Sequence, residues 1–113
     1  MVSADVGTRS YVRLALGDDR FEVREAADGA AAARLLAAQR PAVIVLDLEL
    51  PGGGGLDLAQ GLRTQTGDED VLVLVLVPRD GTVPDEAPGV DAVLRVPATT
   101  FALLRKVDGL LAV

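Results

Sequence analysis

The chain has no cysteine and no histidine, and Lys106 is its only lysine. These absences exclude His- or Cys-based metal sites, a Ser–His pair and a thiolate nucleophile. They also exclude any mechanism that needs an ammonium elsewhere. Without cysteine there is no redox evidence for a compartment, and a cytoplasmic location is the default. Aromatic residues are scarce: Tyr11, Phe21 and Phe101 are the whole set, too few for stacking on bases or sugars. Positive charge is short as well. A net charge of −6 argues against nucleic acid as a direct partner, because phosphate backbones reward clustered Lys and Arg. No apolar run nears the ~18 residues of a membrane helix, and MVSADVGTRS lacks the layout of a signal peptide.

What is present is a single domain, residues 1–113, half hydrophobic and built on Val, Leu and Ala. The segment 10–16 carries Tyr11, Leu14 and Ala15 at helical spacing, and Gly17-Asp18-Asp19 ends it. FEVREA (21–26) alternates as a half-buried strand does. Asp28 is placed to cap an alanine-rich helix that Pro41 stops. AVIVL (42–46) and VLVLVLV (71–77) are continuously apolar, the pattern of strands covered on both faces. Between them LDLAQGLRTQ (56–65) reads as a helix with Leu56, Ala59 and Leu62 inward. Residues 78–89 hold three prolines and two glycines, so they read mostly as loop. A strand over 90–96 and an amphipathic helix over 99–112, capped by Thr99 or Thr100, close the chain. Strands alternating with helices specify an α/β domain with a parallel sheet.

In such sheets ligands gather at the carboxyl ends of the strands. Asp47 sits there, where VIVLD opens into LELPGGGG. By position alone it is a phosphoryl acceptor, a metal ligand, or an Asp that bonds its own turn. The glycines fit neither nucleotide fingerprint: Asp57 or Leu58 falls where a dinucleotide motif needs its last glycine, and no Gly-Lys-Ser/Thr follows.

From about Arg9 to Leu111 the chain resembles the receiver domain of bacterial two-component response regulators. The resemblance rests on Asp47 followed by Pro51-Gly52 and Gly55-Leu56, and on GVDAVLRVP (89–97). It implies a flavodoxin-like three-layer sandwich of strand order 2-1-3-4-5, with Asp47 as phosphoryl acceptor. It also implies two acids after the first strand, a hydroxyl after the fourth and a lysine after the fifth. In this chain those positions carry Ser3 and Ala4, Val77 and Val96, with Asp5 one place late, and Val93 stands at the aromatic switch position. A rival alignment makes Asp18-Asp19 the acid pair, at the cost of deleting the first helix. The fourth helix is reduced, because residues are missing and Pro84 and Pro88 interrupt what is left.

Attack by a carboxylate on a phosphoryl group brings two anions together, so Mg²⁺ and a lysine must offset the charge. With that machinery degraded, the resemblance implies a non-enzymatic signalling module with no required cofactor. Such a module acts mainly through contacts with signalling proteins, a sensor kinase or a downstream regulator. Two alternatives stand beside it. In one, Asp47 is a working acceptor, with Asp5, Asp47 and the Glu49 backbone carbonyl forming a weak Mg²⁺ site. In the other, an apolar pocket beside Val77 and Val96 senses a small molecule.

Only Met1 and Val2 precede Ser3, so the family's first strand, central in the sheet, is short or missing. A stub strand, closure by another chain, and a chain starting part-way along the strand are the three outcomes. Because apolar strand edges seldom stay unpaired, the expectation is a homo-oligomer, such as a dimer, in which a partner completes or extends the sheet.

Overall fold

The computed structural model describes residues 1–17, 21–50, 54–67, 71–83 and 87–112. Strands β1 (Val43–Asp47), β2 (Leu72–Pro78) and β3 (Ala92–Val96) run parallel, in the order β1-β2-β3. Val45 stands opposite Leu74, and Leu76 opposite Leu94. β2 is buried at its five inner positions, as a central strand covered on both faces must be.

The sheet continues beyond β1 through the first three residues. Val2 bridges in parallel to both Leu46 and Ala26. Its N–H donates to Val45 C=O (2.8 Å), and Asp47 N–H donates to its C=O (2.9 Å). On the other side Ser3 N–H donates to Ala26 C=O (3.0 Å), and Ala26 N–H to Met1 C=O (2.9 Å). The order across the layer is therefore 21–26, the N-terminal stub, β1, β2, β3, which is the implied 2-1-3-4-5. Of the three outcomes expected for the centre of the sheet, the stub strand is the one seen in this chain. A stub of three residues satisfies the ladder groups beside the functional end.

Two helical layers cover the sheet. Helices α2 (Gly29–Ala38) and α3 (Gly54–Thr66) enclose one core with Ala32, Ala59 and Leu62 against Leu46, Val73, Val75 and Val77. Helices α1 (Val6–Leu16) and α4 (Thr100–Leu111) enclose the other, with Val12, Leu16, Leu103 and Val107 against Val45, Leu74 and Leu76. Each fully buried Leu or Val stabilises the fold by roughly 1.5–3 kcal/mol, so these two clusters hold the domain together.

Local chemistry sets the ends. Asp5, Asp28 and Thr99 each accept a backbone N–H as N-caps of α1, α2 and α4. The Asp5 cap starts α1 four residues before the expected helix, and it also resets the helical phase. Val12, Ala15 and Leu16 face the core, whereas Leu14, expected inward, is 81% exposed. The segment 21–26 keeps its in–out alternation but pairs only at Ala26, so it is extended chain rather than a full strand. Gly55 is required where α3 starts: a Cβ there would lie 2.4 Å from Asp47 C=O. The described residues between β2 and β3, 79–83 and 87–91, contain no helix; Pro84 lies outside them. Pro51, Gly52 and the rival acids Asp18 and Asp19 also lie outside the described residues.

The Met1 amine donates to Arg24 C=O (2.9 Å). Burial lowers its pKa from 8.0 to about 6, against an opposing pull from the Glu25 carboxylate. Between those values the unfolded chain binds more protons than the folded one, so stability must rise with pH through this window. Two units at ~1.4 kcal/mol each, discounted for partial exposure, give about 1–2 kcal/mol. Urea unfolding at pH 6 and pH 8 should resolve that difference. An N-terminally acetylated chain, which has no amine to titrate, should lose it; equal slopes in both chains would contradict the assignment.

Candidate functional site

Asp47 ends β1, with the stub on one side and the β1–α3 turn ahead of it. Its two oxygens are already engaged. Ser3 Oγ donates to Oδ2 at 2.7 Å, and Glu49 N–H donates to Oδ1 at 3.0 Å. Ser3 is completely buried and is itself held from both ends. Asp5 N–H donates to its Oγ (3.0 Å), and Arg9 Nη1 donates to its C=O (2.6 Å). Arg9 and Arg13 then pair with Glu25 at 3.5 and 2.8 Å, tying α1 to the outer segment.

The Asp5 carboxylate accepts from Thr8 Oγ1 (2.7 Å) and Thr8 N–H (2.9 Å). The Thr8 hydroxyl, then its amide, hold the Asp5 carboxyl below its ordinary pKa. Ala4, Asp5, Asp47 and Glu49 line one shallow opening, so the three residues expected around Mg²⁺ do converge. Their donor set fits the ion poorly. Mg²⁺ needs a rigid octahedron of oxygens around one or two free carboxylates. Here Asp5 is committed to capping α1 and Asp47 to Ser3 and Glu49. Among the described residues no three acidic side chains form a metal-binding group.

The remaining positions are apolar. Val77 is fully buried, and Val93 packs against the core on the α2/α3 side. Val96, half-buried, precedes a cis Pro97. A cavity of about 340 Å³ lies at the opposite, amino end of β1, and neither valine lines it. Arg95 turns its guanidinium to the carbonyls of Pro78, Arg79 and Gly81 (3.3, 3.4 and 2.7 Å), bracing the turn after β2. Sequence reading located Ser3 as a lost acid but missed its hydroxyl as the partner of Asp47. A hydroxyl at a position that abuts a strand-end acid was the available signal. Nothing in the sequence pointed to Arg95.

The sequence matches the response regulator receiver domain family over residues 2–92. The chain belongs to that family. Among curated relatives, the response regulator MprA of Mycolicibacterium vanbaalenii is 38% identical over 92 residues. That alignment spans 81% of this chain and 38% of the relative. MprA of Mycobacterium ulcerans is 37% identical, with 81% and 38% covered. This receiver thus spans under two-fifths of the length of the curated relatives it matches. Among solved structures, the chemotaxis protein CheY4 of Vibrio cholerae superposes with a TM-score of 0.85 at 26% identity, covering 96% of this chain and 92% of that one. A CheY-like receiver from Methanospirillum hungatei gives 0.84 at 20% identity, covering 98% and 90%, and at that identity speaks for the fold alone. The receiver is a signalling domain of two-component type. No helix among its described residues is long and apolar enough to cross a membrane.

Proposed function

We propose that this receiver is a cytoplasmic, non-enzymatic module that signals through protein contacts, with little or no phosphoryl transfer at Asp47. One observation carries the reading: the buried Ser3 hydroxyl sits on Asp47 Oδ2 at 2.7 Å. A neutral donor there satisfies the aspartate without bringing the second negative charge that would help hold a metal ion. The partners are a sensor kinase or a downstream regulator, consistent with the response-regulator relatives. Residues 1–113 act as one domain, and no cofactor is required.

The apolar residues at 77 and 93 support a further element of this reading. A hydroxyl that moves toward a phosphoryl group and a ring that follows it are both missing. Beryllofluoride with Mg²⁺ should therefore leave the amide resonances of residues 90–104 essentially unmoved in NMR spectra. Large shifts across that stretch would overturn the reading. The second reading, a working acceptor with weak Mg²⁺ binding, is favoured only by the shared opening of Asp5, Asp47 and Glu49.

A further inference from the structure

All four exposed large hydrophobic side chains among the described residues, Val6, Leu14, Phe101 and Leu111, lie on α1 and α4. The other helical layer, α2 and α3, exposes none among its described side chains. Single exposed apolar residues are ordinary on protein surfaces, but chance would divide them between two layers of similar size. The two helices that carry them touch. Tyr11 on α1 donates its hydroxyl to the C=O of Thr99, the N-cap of α4, at 3.1 Å. Leu14 stands one turn beyond Tyr11, and Phe101 two residues beyond Thr99. That contact brings both apolar positions to one seam.

Charge divides the same way. α1 and α4 hold Arg9, Arg13, Arg105 and Lys106 against one acid, Asp108, a net of +3 in a chain of −6, so the other residues carry −9. Glu25 pairs with Arg9 and Arg13, and counting it with the layer still leaves +2. Part of that charge stands beside the exposed ring. Arg105 and Lys106 are exposed, and the Arg105 guanidinium lies 5.8 Å from the Phe101 ring centroid. Ring and cation form one anchor.

These two asymmetries choose the occupant. A symmetric pair of this chain through α1 and α4 would set like charge against like charge. A second copy offering its acidic side would bring carboxylates without large apolar side chains, since its described residues elsewhere expose none. The partner must supply both. Shape narrows it further. α1 and α4 each follow a strand of the parallel sheet, so they run side by side in one direction, and the groove along such a seam suits an amphipathic helix. We infer that the α1/α4 face is a docking surface for an acidic amphipathic helix of another protein, its apolar stripe on Leu14 and Phe101 and its carboxylates toward Arg105 and Lys106. This deepens the reading that the receiver signals through protein contacts and rests on that part of it. The two fail separately: acetyl phosphate tests Asp47, and peptide binding tests this face.

The test titrates the chain with a peptide of ~18 residues, long enough to hold a helix in water, carrying Leu at every third or fourth position and Glu beside them. NMR reads the site and calorimetry the affinity. Saturable shifts are expected in residues 6–14 and 100–111. Phe101→Ala should weaken binding about tenfold or more, as truncation of a central aromatic anchor does, while leaving the melting temperature nearly unchanged. Arg105→Glu combined with Lys106→Glu should reject the Glu peptide and take a Lys-for-Glu peptide instead. Equal wild-type binding of the Lys peptide or of a shuffled peptide, shifts confined to other residues, or no binding at all would each overturn the inference. So would sedimentation showing a concentration-dependent dimer that Phe101→Ala abolishes, because the occupant would then be a second copy.

Discussion

Acetyl phosphate and Mg²⁺ should leave the wild-type chain almost unmodified, whereas Ser3→Asp combined with Val96→Lys should gain phosphorylation by orders of magnitude, all of it lost on adding Asp47→Asn. The size follows from charge. An uncompensated unit pair near ~4 Å costs roughly 4 kcal/mol at an effective dielectric near 20, about a thousandfold in rate. Ser3 gives Asp47 a hydrogen bond but contributes no charge with which to bind a cation. Val96 gives none either, and Arg9 is occupied by the Ser3 carbonyl and Glu25. In the double variant an acid beside Asp47 creates a metal site and a lysine before Pro97 faces the incoming phosphoryl group. Without Mg²⁺ that variant should be less stable than wild type, since two acids then meet in a buried corner. Adding Mg²⁺ should recover the loss. Intact-mass analysis reads the modification, and thermal unfolding reads the metal dependence. Near-stoichiometric modification of the wild-type chain, absent in Asp47→Asn, would show that the site works as it stands.

Leu103→Ala is expected to cost 2–5 kcal/mol, whereas Leu14→Ala should change stability by less than about 0.5 kcal/mol. Both residues are leucines on helices of the same layer, and both look equally apolar in sequence. Leu103 is 0% exposed, inserted with Val107 against Leu74 and Leu76; Leu14 is 81% exposed. At roughly 4–8 °C per kcal/mol for a domain near this size, the first substitution should lower the melting temperature by about 10 °C or more. Denaturant melts of the two variants decide the matter. A Leu14→Ala loss comparable to that of Leu103→Ala would mean that α1 is rotated from the phase described.

Much of this protein was legible because its signals are local. Asp28 and Thr99 cap helices where their spacing to apolar runs says they must, and the runs 42–46 and 71–77 became buried parallel strands. Asp47 reached the carboxyl end of β1 because alternation of strands and helices leaves no other place for it. Less legible were choices made between distant segments. Leu14 looked inward from its spacing, yet the Asp5 cap and the packing of α1 on α4 chose Val12 instead.

The sequence by itself determined the α/β class, the parallel sheet, the place of Asp47 and the absence of a lysine beside it. These follow from periodicity, capping and residue identity, which act over a few residues. Tertiary structure alone decided that residues 1–3 enter the sheet between Ala26 and β1, because their ladder partners at 26 and 45–47 are far away in the chain. It alone decided that Ser3 Oγ would meet Asp47 across a sequence separation of 44 residues. It also decided that a cavity of about 340 Å³ would lie at the amino end of β1, since a void belongs to no residue and arises only where packed layers fail to meet.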